Sequence, residues 1–103
     1  MLIVRSQNRV PVRLTEERWQ HIIHHHPEMT DQRGRVLETL TEPEAIQQGD
    51  LDELHAVRFY PETPLTSKFL VVVYREVSPD DGVILTAYLA SRTSAGRIVV
   101  WKR

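Results

Sequence analysis

The run Lys68-Phe69-Leu70-Val71-Val72-Val73-Tyr74-Arg75 constrains the fold more than any other stretch of the chain. Its middle is apolar on both faces and rich in β-branched residues, which places it at the centre of a sheet. Pro79-Asp80-Asp81-Gly82 follows with strong turn chemistry, and Val83 to Ala90 answers as an antiparallel partner. Leu54 to Tyr60, closed by Pro61 and Pro64, reads as a further strand, and Ser94-Ala95-Gly96 turns the chain into another from Ile98 to Trp101. Before Gly49 the pattern is helical. Thr15 suits a helix N-cap, and Glu16 and Glu17 suit the positive end of the helix dipole. Trp19, Ile22 and Ile23 then form an apolar stripe at i, i+3, i+4. Pro27 stops this helix by pushing His26 out of the α region.

A second helix is expected from Asp31 to Leu40, burying Val36, Leu37 and Leu40, with a single turn at Pro43 to Ile46. Leu2 to Val4 and Val10 to Leu14 are short enough to be edge strands, since Pro11 cannot donate to a ladder on both sides. The expected fold is α+β: one domain over residues 1–103, with two N-terminal helices on one face of a three- to four-stranded antiparallel sheet. That arrangement leaves the other face and the sheet ends for function.

Composition narrows the chemistry. The chain has no cysteine, which excludes a disulfide scaffold, a thiol nucleophile and every thiolate metal site. Its longest apolar run, Phe69 to Tyr74, is far short of the ~18–20 residues of a membrane helix, and Met1 to Arg5 lacks a charged segment leading into an apolar one. The expectation is a cytoplasmic protein without a membrane partner. A formal charge of −1 argues against nucleic acid only if charge is evenly spread. It is not: residues 1–35 sum to +2, residues 36–62 to −6 and residues 63–103 to +3. Eleven of the thirteen bases are Arg, whose planar fork matches phosphate.

The segment Arg18-Trp19-Gln20-His21-Ile22-Ile23-His24-His25-His26-Pro27-Glu28 concentrates candidate chemistry. At about 100° per residue, Arg18, His21 and His25 share an arc opposite the apolar stripe, and His24 stands apart. His26 falls where the helix end meets a turn, beside Glu28. Three readings are open. His21 and His25 have the i, i+4 spacing of two zinc ligands, a third then coming from His24, His55 or a carboxylate. Alternatively, histidines beside an Arg can move protons and stabilise a phosphorane. Finally, they can be solvated residues of an exposed face, with His26 capping a turn. A second constellation lies on the strand after the Pro79 turn. Strict alternation groups Val83, Leu85, Ala87 and Leu89 toward the helices and leaves Thr86 and Tyr88 on the second face, with Arg92 in the same parity. Arg58 and Tyr60 alternate together and could extend that phosphate-holding patch.

In this order and spacing, R-W-x-H-I (Arg18, Trp19, His21, Ile22), H-P-E (His26, Pro27, Glu28), T-L-x-x-P-x-x-I (Thr39, Leu40, Pro43, Ile46), L-V-V-V (Leu70 to Val73) and T-A-Y (Thr86, Ala87, Tyr88) resemble small bacterial and phage proteins of the barnase–EndoU–colicin–RelE nuclease superfamily, phage-type branch. The similarity spans roughly residues 13–102. It implies two N-terminal helices on a four-stranded antiparallel sheet, the barnase/RelE-like fold. It also implies metal-independent RNA cleavage by 2′-hydroxyl attack, with no cofactor. On this chain His26 and His21 would be the acid/base pair, Arg18 would stabilise developing charge, and Thr86 and Tyr88 would position the phosphate. His24 and His25 lie outside the pattern. Relatives in that superfamily often act as toxins held by an antitoxin, so RNA and an antitoxin or immunity protein are the implied partners.

Overall fold

The computed structural model describes residues 1–103. In chain order it contains β1 (Leu2–Arg5), β2 (Pro11–Leu14), α1 (Glu16–His25), a single 3₁₀ turn (Pro27–Met29), α2 (Arg33–Thr41), β3 (Ala45–Gln48), β4 (Glu53–Tyr60), β5 (Lys68–Ser78), β6 (Asp81–Ala90) and β7 (Val99–Lys102). All seven strands join one sheet, ordered β1-β2-β6-β5-β4-β3-β7. No helix is long and apolar enough to cross a membrane.

This corrects the expected architecture. The sheet has seven strands rather than three or four, and it is mixed, because β2 runs parallel to β6 at Val12–Gly82 and Arg13–Val83. The helices are not N-terminal either, since β1 and β2 precede them. The antiparallel centre β4-β5-β6 lies where the apolar run placed it. The short stretches at residues 2–4, 10–14 and 98–101 are strands as expected, but β2 lies between β1 and β6 rather than at an edge, and the periodicity could not show that all of them join the same sheet. β3 is the plainest departure: Pro43 to Ile46 reads as a turn, yet Ala45–Gln48 pairs with both β4 and β7. Four residues beside a proline carry too few alternations to declare a strand, and the neighbours in the sheet decide their conformation.

Both helices pack on one face. Trp19 and Ile22 of α1, Met29 of the 3₁₀ turn, and Val36 and Leu40 of α2 meet Val12, Leu14, Ala56, Leu70, Val72, Tyr74, Ile84 and Ala87 in a continuous core. Gly82 allows the tight seating of β6 between its neighbours. A Cβ there would lie 3.0 Å from the Arg75 carbonyl oxygen and 3.0 Å from Val12 Cγ2.

The opposite face is built differently. Val57, Val71 and Val73 are buried there, with Phe69, Leu85, Tyr88 and Ala90 packed around them. β6 and β7 lie on opposite sides of β5, β4 and β3, so the connection between them must cross the sheet. Helices occupy the first face, and residues 91–98 run diagonally over the second. Gln47 Nε2 donates to the Ser94 carbonyl at 2.7 Å and the Gln48 N–H donates to Ile98 at 2.8 Å, which ties this strap down beside β3.

Candidate functional site

α1 lies along an open sheet edge. β2 pairs only with the first residues of β6, leaving the edge of β6 beyond Val83 free of strand partners. Thr15 caps the helix by accepting from the Arg18 N–H at 3.1 Å, and Glu16 and Glu17 occupy its first turn. Along that edge Arg18 Nη1 donates to the Leu85 carbonyl at 3.5 Å, and the His26 ring lies 5.8 Å from the Tyr88 ring, centroid to centroid. The two contacts fit one geometry: eight residues of helix rise about 12 Å, close to the ~10 Å covered by three strand residues.

His26 is placed by the end of the helix. Its N–H closes the last helical bond to the Ile22 carbonyl at 2.8 Å, while φ −132° and ψ 76° carry the chain out of the α region, as Pro27 requires. Glu28 Oε1 lies 3.6 Å from His26 Nδ1, close enough to orient the imidazole. His21 and Arg18 share a cleft of about 210 Å³ with Thr15 and Glu17. The exposed His21 is pushed below the ordinary histidine value, first by partial desolvation and then by the charges of His25, Arg18 and His24. His25 hydrogen-bonds the His21 carbonyl through Nδ1 at 3.0 Å, and its ring lies 4.4 Å from the His21 ring. No group of three or more His, Asp or Glu side chains is arranged to hold a metal ion.

Tyr88 connects this edge to the second face. It also lines a cleft of about 230 Å³ between the sheet and the strap, together with Gln47, His55, Arg92, Thr93 and Arg97. A β-bulge produces this orientation. The register passes from Tyr74–Ile84 to Val73–Thr86, so Leu85 is the extra residue. Strict alternation would put Ile84 with Thr86 and Tyr88, and Leu85 toward the helices. The bulge reverses the first half of that expectation: Ile84 enters the helix-side core, whereas Leu85 joins the second face. Thr86, opposite Val73, and Tyr88, opposite Val71, do lie on the second face.

Of the expected residues, Arg18, His26, Tyr88 and Arg92 are thus strung along one continuous surface, with His21 beside Arg18 and Thr86 next along β6. Arg58 does not join them. It sits opposite Leu70 on the helix side, donates to the Glu42 carbonyl at 2.7 Å, and lies 3.8 Å from the carboxylates of Glu38 and Glu42. Tyr60 stands on the same side, donating to Glu38 at 2.6 Å, and burial followed by that bond pushes its phenol up to about 12.

His55 and Arg97, which carry the titratable and charged groups of the cleft beside Arg92, escaped the phosphate patch drawn from sequence. His55, buried and opposite Val73, figured only among possible metal ligands. Its ring is held below the ordinary histidine range, chiefly by desolvation and then by Arg97, with Glu53 and Asp50 acting in the opposite sense. Arg97 reaches the cleft from the strap and pairs with Asp50 at 3.2 Å. The alternation of β4 already put His55 in phase with Val57, but no local signal announced a strap above it. The acidic middle segment is largely spoken for: Glu38 and Glu42 face Arg58, Glu44 faces Arg103, Glu53 faces Arg75, and Asp50 faces Arg97. No family model, no curated protein and no solved structure matches this chain.

Proposed function

We propose that this chain is a cytoplasmic, metal-independent endoribonuclease of toxin type, cleaving RNA at the surface between α1 and β6. One observation carries the reading. Tyr88 is contacted from the helix side by His26, 5.8 Å away, and from the other side forms the wall of a cleft that also holds Arg92 and Arg97. Imidazole and guanidinium groups on a shared surface can move protons and stabilise a phosphorane without a thiolate. The resemblance to the nuclease superfamily supports the reading through those residues alone, because the seven-stranded sheet is not the arrangement that family implies.

In this scheme the 2′-hydroxyl attacks the adjacent phosphorus, a base removes its proton, and an acid protonates the departing 5′-oxygen. The products are a 2′,3′-cyclic phosphate and a free 5′-hydroxyl. His21, kept neutral by its depressed proton affinity, suits the base. His26, oriented by Glu28, takes the acid role. Arg18 neutralises charge on the phosphorane, while Tyr88, Thr86 and Arg92 hold the flanking strand. A small acidic antitoxin covering the same surface is the matching partner.

The test is cleavage of a labelled RNA in EDTA by wild type, His26→Ala and His21→Ala. Losses of at least about 100-fold in each variant are expected from removing an acid or a base. Equal cleavage by all three proteins identifies a contaminating ribonuclease and removes the proposal. Intact RNA throughout, with binding weakened by Arg18→Ala, turns the surface into a non-catalytic binding module.

A further inference from the structure

The strap cleft is more than a wall for Tyr88. Its floor is His55, nine-tenths buried, whose ring makes no hydrogen bond within the chain. The imidazole lies directly over Gly49: a Cβ on that glycine would fall 2.8 Å from both Cδ2 and Nε2. Only a residue without a side chain lets the ring sit there, so its position is built rather than incidental. Gln47, equally buried, spends its amide on the Ser94 carbonyl and so fixes the strap at a set height above the sheet. Arg92 and Thr93 enter from the first part of the strap and Arg97 from its end. Arg97 shares its charge with the highly exposed Asp50 at 3.2 Å, whereas Arg92 pairs with no carboxylate.

We propose that the cleft beneath the strap is an anion site that holds one phosphate group, bound by Arg92, Arg97 and Thr93 with His55 at its floor. The space, about 230 Å³, is ample for a phosphate group. The chemistry deepens the ribonuclease reading, on which the identity of the strand rests, by adding a second phosphate subsite beyond the cleavage point on the far side of Tyr88. The shared chemistry is a phosphate oxyanion, supplied either by an internal phosphodiester of a strand or by a terminal monophosphate.

Proton linkage follows from the neighbours of His55. The charged and titratable groups facing it are Arg97 and Arg92 from the strap, Glu53 from β4, Asp50 from the turn before it, and Tyr88 from β6. Desolvation first, and Arg97 second, favour the neutral ring over the opposing pull of Glu53 and Asp50. An incoming anion reverses that balance, and His55 takes up a proton from solvent as the anion binds. Affinity therefore rises as pH falls between the free-state and bound-state titrations, by at most about tenfold per pH unit.

Inorganic sulfate tests this, because its charge is constant over about pH 5–8 and the protein alone can then titrate. Histidine ring resonances are followed by NMR as sulfate is added at several pH values, for wild type, Arg92→Ala, Arg97→Ala and His55→Gln. Saturable shifts of His55, an upward move of its titration midpoint, and roughly tenfold weaker binding in either arginine variant are the expected results. Binding that shifts His21 and His26 as much as His55, survives the loss of both arginines, or shows no pH dependence overturns the proposal. Two competitors locate the source: a deoxythymidine tetranucleotide without terminal phosphates, and thymidine 3′-monophosphate. Displacement of sulfate by the former assigns the site to internal strand phosphates and by the latter to chain ends; displacement by neither overturns it. Neither competitor has a 2′-hydroxyl, so the subsite and the cleavage reading can fail separately.

Discussion

The two faces of the sheet bury similar aliphatic side chains under different covers. On one face, α1 and α2 lay amphipathic stripes on Val12, Leu70, Val72 and Ile84, and these side chains are fully buried. On the other, Val57, Val71 and Val73 lie beneath the extended segment 91–98, whose only substantial apolar side chain, Ile98, points to solvent. An extended strap cannot satisfy its backbone internally as a helix does, so it must bring polar partners such as Gln47 to its carbonyls. The polar atoms required to hold the strap leave a cleft where helices would leave none. The same sheet thus has one face sealed by helices and one left with a polar cleft, and the cover determines which is which.

If this division holds, the largest effect belongs to the helix side. Leu40→Ala, at a fully buried position beneath α2, should lose about 2–5 kcal/mol in denaturant unfolding. Val71→Ala on the strap side removes a smaller group beside an open cleft that water can enter, and should cost roughly 1–2 kcal/mol. Comparable losses after allowing for the atoms removed would mean that the strap seals its face as a helix does.

Gly49→Ala probes the strap side without touching the strap. The new methyl would meet the His55 ring at 2.8 Å and Glu53 Cβ at 2.9 Å, so either the imidazole or the turn must move. A destabilisation of about 1–3 kcal/mol is expected, the range for overpacking a tight site. His55 should also titrate closer to an ordinary histidine as it is displaced toward water. A stable variant with an unchanged His55 titration would show that the ring is not held where the cleft needs it.

The capping contact sharpens the same comparison at the sheet edge. Thr15→Ala removes the acceptor of the Arg18 N–H and should cost about 1 kcal/mol. Because that turn also aims Arg18 at Leu85, RNA cleavage should fall with stability, whereas Thr15→Ser should restore both. Cleavage unchanged in Thr15→Ala would detach the start of α1 from the reacting surface.

What was legible follows from how locally each feature is determined. α1, its Thr15 cap and its arrest at Pro27 are set within a few residues of chain, and His26 emerged at the predicted helix end. The central strands declared themselves through long apolar runs. By contrast, β3 is a strand because β4 and β7 flank it, and its own four residues beside Pro43 resemble a turn. The bulge at Leu85 arises from the pairing of β6 with β5, and it put Ile84 and Leu85 on the faces opposite to those strict alternation gives them. His55 was hidden for a related reason. Its environment is made by Arg97, far away in sequence, and by a strap whose path depends on the strand order.

The smallest expected effect isolates His55 on the strap face. Burial first, and Arg97 second, hold its folded-state titration below the ordinary value, so the fold favours the neutral ring. Above the unfolded value of about 6.5, neither state is protonated and this residue gives stability no pH dependence. As pH falls through that value the unfolded chain takes up the proton first, and stability drops until the folded ring titrates as well. Wild type compared with His55→Gln removes the parallel contribution of His21, common to both proteins. The stability difference between them, measured by denaturant midpoints at pH 7.5, 6.5 and 5.5, should move against the wild type as pH falls. Saturating sulfate should weaken that trend, because a bound anion favours the protonated ring in the folded state. A difference constant with pH would mean that the ring is as well hydrated as in the unfolded chain, and the two covers would then differ in shape but not in polarity.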